Sequence, residues 1–172
     1  GLGTVTAVTA GTAQVTATIE GKPGIATITV SLVPAASVVV TPATASVVVG
    51  GTRALTAVVE DAAGNPLTGR TVTWNSATPT VATVSTGGVV TAVTPGTVDV
   101  SASAEGKTGK STITVTPVPV ASVTVTPGTA SVPIGQTQAL TAVAKDGAGN
   151  TLVGRPTTWS TSAATVATVS SV

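Results

Sequence analysis

The sequence has no cysteine, histidine, methionine, tyrosine or phenylalanine, and its aromatic side chains are two tryptophans. Without cysteine no disulfide can staple the chain, and the redox compartment is left open. Without histidine or cysteine the usual zinc ligands are missing. A serine or threonine nucleophile would still need a positioned base, and only seven Lys/Arg and six Asp/Glu are on hand. Glu60 and Asp61 are neighbours, so a strand would send them to opposite faces. A glycosidase pair must instead converge across a cleft. We expect no enzyme within these residues and no cofactor.

Charge is equally sparse, at 8% of residues with a net charge of +1. The basic residues are scattered, so neither a nucleic-acid site nor a polybasic membrane-surface site is expected. Mean hydropathy is high, at +0.54. Even so, no apolar run approaches the roughly 20 residues that a spanning helix needs, and no direct membrane span is expected. A porin-like barrel would show longer alternating strands and girdles of aromatic residues. Gly1-Leu2-Gly3 reads as the middle of a domain rather than as a signal peptide.

What the chain does have is valine and threonine, whose branched Cβ suits a pleated surface, and a repeat. Ala36-Ser37-Val38-Val39-Val40-Thr41-Pro42 returns as Ala121-Ser122-Val123-Thr124-Val125-Thr126-Pro127. Trp74 returns as Trp159, and Gly69-Arg70 as Gly154-Arg155, always 85 residues on. Residues 35–87 match 120–172 at 32 of 53 positions, and residues 1–34 match 86–119 at 20 of 34. Three units are expected: the C-terminal half of one at 1–34, a complete one at 35–119, and the N-terminal part of another at 120–172. Both ends then fall inside units, which reads as a piece of a longer protein. The alternative is a filament in which the front half of one copy is completed by the back half of another.

Within the complete unit, strands are expected at 37–41, 46–49, 52–60, 71–75, 81–85, 89–93, 97–104 and 111–116, with Gly and Pro as punctuation. Leu55, Ala57 and Val59 alternate onto one face, as do Val98, Val100 and Ala102, Ile113 and Val115, and Val72 and Trp74. Two sheets facing each other over these sets would enclose a core. Trp74, Trp159, Leu55 and Leu140 are its expected anchors, each tryptophan a pin between the sheets. The Asp61-to-Asn65 and Asp146-to-Asn150 stretches read first as turns, since Asp bonds the backbone two residues on. Calcium held near Asp61, Asn65, Asp146 and Asn150 is the lesser alternative. Arg70 and Arg155 suit a salt bridge or a carbonyl clamp, and Glu105-Gly106-Lys107 a hairpin turn with a solvated charge pair.

The ordered set formed by these stretches resembles the bacterial Ig-like group 2 domains. It runs from the Ala-Ser-Val opening through Leu55-Thr56-Ala57-Val58-Val59, Thr73-Trp74-Asn75-Ser76 and Val81-Ala82-Thr83-Val84-Ser85 to Gly96-Thr97-Val98-Asp99-Val100. The resemblance implies tandem immunoglobulin-like β-sandwich domains with Greek-key connections, all-β. It also implies a place in an extracytoplasmic bacterial protein such as an adhesin of the intimin or invasin type, and it transfers no catalytic residues.

Two roles are weighed. One is a structural spacer or scaffold whose partners are neighbouring Ig-like domains of the same chain. The other is an adhesive module recognising a protein or carbohydrate, or a subunit of a surface or envelope assembly. The repeats differ most at 75–79 against 160–164, so Asn75, Ser76, Ser160 and Thr161 mark the candidate contact loop. They lack the aromatic and arginine anchors of binding hot spots, which favours the spacer. Surfaces this poor in charge are weakly protected against edge pairing. The expected cover is neighbouring subunits, a filament lattice or glycans on threonine.

Overall fold

The computed structural model describes residues 1–170. The chain divides into two compact units, Gly1–Thr116 and Pro117–Val172, and the described residues contain strands but no helix.

In the first unit, β1 (Gly11–Ile19) and β2 (Lys22–Val30) form an antiparallel hairpin. A two-residue turn, Glu20-Gly21, closes it with both residues at positive φ, which matches the twist of a tight hairpin. The sandwich follows: β3 (Ser37–Thr41), β4 (Thr44–Val48), β5 (Thr52–Ala54), β6 (Thr56–Glu60), β7 (Thr73–Ser76), β8 (Ala82–Val84), β9 (Val89–Ala92), β10 (Gly96–Ala104) and β11 (Lys107–Thr116). One sheet has the order β4-β11-β10-β7, with β4 parallel to β11 and the other pairs antiparallel. The pairs and triples β3-β6 and β5-β9-β8 form the remaining sheets. Inward residues of all of them meet in one cluster, and Ile113, Val90 and Val100 are its largest fully buried apolar side chains.

Two expectations change here. The run 52–60 is two strands, because the chain changes sheet at Leu55: β5 pairs with β9, whereas β6 pairs with β3. At the break the Leu55 N–H donates to the Gly88 carbonyl at 2.9 Å, and the side chain is buried. The second change concerns the pin. Trp74 is half-buried and packs against the rim of the cluster, lying over Gly88, where a Cβ would come within 2.8 Å of the indole. The centre is aliphatic, since branched chains from facing strands already fill the gap between the sheets.

In the second unit, β12 (Ser122–Thr126), β13 (Thr141–Lys145) and β14 (Thr151–Leu152) make one antiparallel sheet. Its β12–β13 register is that of β3–β6 shifted by 85 residues: Ser122 opposes Lys145 as Ser37 opposes Glu60. The counterparts of β4, β5, β7 and β8 are not strands here. In the first unit those four pair with β9, β10 or β11. Leu140, expected in a core, is 41% exposed, and Trp159 is half-buried.

Candidate functional site

The residues that recur with the repeat and make specific polar contacts lie where each sandwich begins. Arg70 follows the turn after β6, with Gly69 at positive φ before it. Its Nη1 donates to Glu105 Oε1 at 2.6 Å, and its Nη2 donates to the Val33 carbonyl at 2.7 Å. The other Glu105 oxygen accepts from the Ala35 N–H at 3.1 Å, and the Ala36 N–H donates to the Glu60 carbonyl at 2.8 Å. The segment leading into β3 is thus held from both sides by one ion pair. The planar guanidinium fork suits this task, because it can meet a carboxylate and a carbonyl at once in fixed geometry. The Arg70 side chain is only 11% exposed.

The second unit repeats half of this arrangement. Arg155 Nη2 donates to the Val118 carbonyl, and the Ala121 N–H donates to the Lys145 carbonyl at 2.8 Å. Arg70 therefore acts as both salt bridge and carbonyl clamp. The role of Glu105 escapes a reading of its own tripeptide, which places it in a solvated turn beside Lys107. The available signal is that Glu20, Arg70, Glu105 and Arg155 return with the period.

The two Asp loops are nearly superimposable in their bonding. Asp61 Oδ1 accepts from the N–H groups of Ala63 and Asn65 at 2.8 and 2.9 Å, and Oδ2 accepts from Asn65 Nδ2 at 3.0 Å. Asp146 does the same with Ala148 and Asn150. The amide of Asn65 above all, helped by the backbone donors, holds the Asp61 carboxyl below its ordinary value, and Asn150 does so for Asp146. A calcium ion at Asp61, Asn65, Asp146 or Asn150 would need oxygens turned toward it. Here both carboxylate oxygens face N–H donors, so the loops are bonded as turns.

The candidate contact loop is not one surface. Ser76 is a buried residue at the end of β7, and its Oγ donates to the Ala82 carbonyl at 2.6 Å, tying β7 to the start of β8. Asn75 is exposed, and its carbonyl accepts from Ser101 Oγ at 3.4 Å. Ser160 and Thr161 are exposed outside any strand. Ser76 faces inward because strand residues alternate, a parity that a loop assignment overlooks. No group of three or more acidic residues among the described ones could hold a metal.

Residues 34–115 match the family model described as bacterial Ig-like domain (group 2). No curated protein matches the chain. Among solved structures, surface layer protein SbsC, domains 1–6, is similar at 22% identity, covering 84% of this chain and 21% of that one, with a TM-score of 0.47. Invasin, a bacterial integrin-binding protein, is similar at 20% identity, covering 86% and 34%, with a TM-score of 0.47. The Yersinia pseudotuberculosis adhesin InvE is 31% identical, covering 63% and 34%, with a TM-score of 0.38. The chain spans only 21–25% of the SbsC chains covering domains 1–6 and 4–9.

Proposed function

We propose that this chain, whose residues 34–115 are a bacterial Ig-like domain of group 2, is a non-catalytic spacer within an extracytoplasmic bacterial protein. On this reading it holds functional elements apart by a series of sandwiches, each of which ties down the segment that leads into its first strand. The observation that carries the reading is the recurrent arginine clamp. Arg70 grips the Val33 carbonyl and Arg155 the Val118 carbonyl, each across 37 residues and each on the connector that enters a unit. A flexible linker would explore many conformations, whereas a connector whose carbonyl is bonded to the unit it enters loses that freedom. The use of such domains in tandem in bacterial surface proteins supports the location, and neighbouring Ig-like domains are the partners.

The test is a distance distribution between spin labels at exposed Thr86 and Ser162, one in each unit. A narrow distribution that broadens in Arg155→Ala, with the fold unchanged by circular dichroism, supports the spacer. A distribution already broad in the parent chain, or untouched by the substitution, removes it.

A further inference from the structure

Among the described strands β4 and β11 are the one parallel pair, and every other pairing is antiparallel. Their register joins Thr44 to Thr112 at one end and Val48 to Thr116 at the other. Backbone bonds extend the ladder both ways. The Thr112 N–H donates to the Ala43 carbonyl at 2.9 Å, and the Val49 N–H donates to the Thr116 carbonyl at 2.9 Å. Bonding residues alternate along a strand, so Ala45 and Val47 supply the β4 donors and acceptors between these two. Val47 is buried and Ala45 packs against the core, which shields one face of the ladder from water.

The chain enters and leaves this unit at opposite ends of β11. On the entry side, the Ala35 N–H donates to Glu105, in the turn that precedes β11. There β3 also crosses β11 at Gly109, where a Cβ would fall 2.1 Å from the Val38 carbonyl, so the crossing tolerates only glycine. The exit follows Thr116, and the 10 residues of β11 put it about 30 Å from that turn.

A pull on the flanking segments therefore acts along β11. It draws β4 toward the entry and β11 toward the exit, so the two parallel strands are loaded in opposite directions. All the bonds of their ladder share that load. An antiparallel hairpin pulled open from its ends would lose its bonds one at a time. The entry side adds an earlier stage: Arg70 holds the Val33 carbonyl, Glu105 holds the Ala35 N–H, and the Ala36 N–H is bonded to the Glu60 carbonyl. Tension reaches β4 only after these contacts and the β3–β6 pairing have yielded.

We propose that the unit at residues 35–116 bears tension along the chain, with the β4–β11 ladder as its clamp. The inference goes beyond the spacer reading and does not rest on it, because a unit can resist a pull whatever distance separates its neighbours.

The absence of cysteine allows handles to be attached at chosen residues of the full chain. Leu32 and Pro119 are exposed on either side of the unit, and Val48 is exposed opposite Thr116. In single-molecule pulling, Leu32→Cys with Pro119→Cys loads the ladder in shear, whereas Val48→Cys with Pro119→Cys peels the same ladder from one end. Forced unfolding is governed by the unfolding rate, and the first pair of handles should need roughly threefold the force of the second. Ala45→Pro removes one ladder donor; it should cut the force between the first pair of handles by roughly half and leave the second nearly unchanged. Equal forces in the two geometries would overturn the proposal. So would an Ala45→Pro chain that resists shear as well as the parent, or one that weakens equally in both geometries. If Ala45→Pro does not fold, the comparison of the two geometries decides by itself.

Discussion

The hairpin β1–β2 and the hairpin β10–β11 share 12 of 20 residues and one register, yet lie in different environments. Val100 is fully buried, whereas Val15, its counterpart 85 residues earlier, is 42% exposed. The front half shows the same contrast, with Val38 at 6% exposure against 60% for Val123, and Leu55 at 4% against 41% for Leu140. Local conformation survives the change: registers, turn residues and the Asp loops are the same in both copies. The counterparts of β4, β5, β7 and β8 are not strands in the second unit, whereas that of β3 still pairs with that of β6. A two-residue turn carries enough information to close its own hairpin, but a strand such as β4 or β7 exists only beside β11 or β10.

The comparison breaks most sharply if an acidic residue is placed at the matched position. Val100→Asp should destabilise the complete sandwich by about 4 kcal/mol or more, since it buries a charge without a partner. Val15→Asp should change the unfolding free energy measured by denaturant titration by no more than about 0.5 kcal/mol. Equal losses would mean that the hairpin is packed after all.

The two glycines come next. Gly109→Ala must push β3 away from β11 and should cost about 1–3 kcal/mol, whereas Gly24→Ala should change thermal unfolding negligibly. A third pair sharpens the comparison in the opposite direction. Ser111 is fully buried and its Oγ has no hydrogen-bond partner, while the matching position in the first hairpin is Ala26. Ser111→Ala should leave stability unchanged or raise it by up to about 1 kcal/mol, and a clear loss in urea unfolding would show that the hydroxyl is satisfied.

The smallest contrast is electrostatic. Asp99 accepts from Lys110 at 2.8 Å and from Thr112 at 2.7 Å, and Lys110 followed by Thr112 holds its carboxyl below the ordinary 3.8. Because the folded value lies below the unfolded one, the stabilisation is fully present above about pH 3.8 and fades as pH falls through the lowered value. Asp99 likewise raises Lys110 above 10.5, so that contribution is present below 10.5 and is lost as pH rises further. The first hairpin carries Gln14 and Ile25 at these places, so its amide signals should not respond to acid there. Carboxyl NMR should show the Asp99 midpoint moving up toward 3.8 in Lys110→Ala.

Much of the candidate site could be anticipated and part could not. Arg70 and Arg155 are recognisable as clamps, because a lone recurrent arginine after a turn has few other uses. Glu105 is hidden by its neighbour Lys107, since sequence proximity suggests a pair that the turn geometry does not make. Ser76 looks like a loop residue until the β7 register places it inward. The tryptophans mislead for a related reason: size argues for the centre, but the branched aliphatic residues of facing strands had already filled it.

The sequence alone determines an all-β chain, its 85-residue period, its tight turns and the parity of its strands, because these follow from side-chain alternation and from residues within a few positions of one another. Tertiary structure alone decides which apolar face becomes a core. Burial depends on what lies opposite, and the strands that face β3, namely β10 and β11, are supplied by a segment distant in the chain.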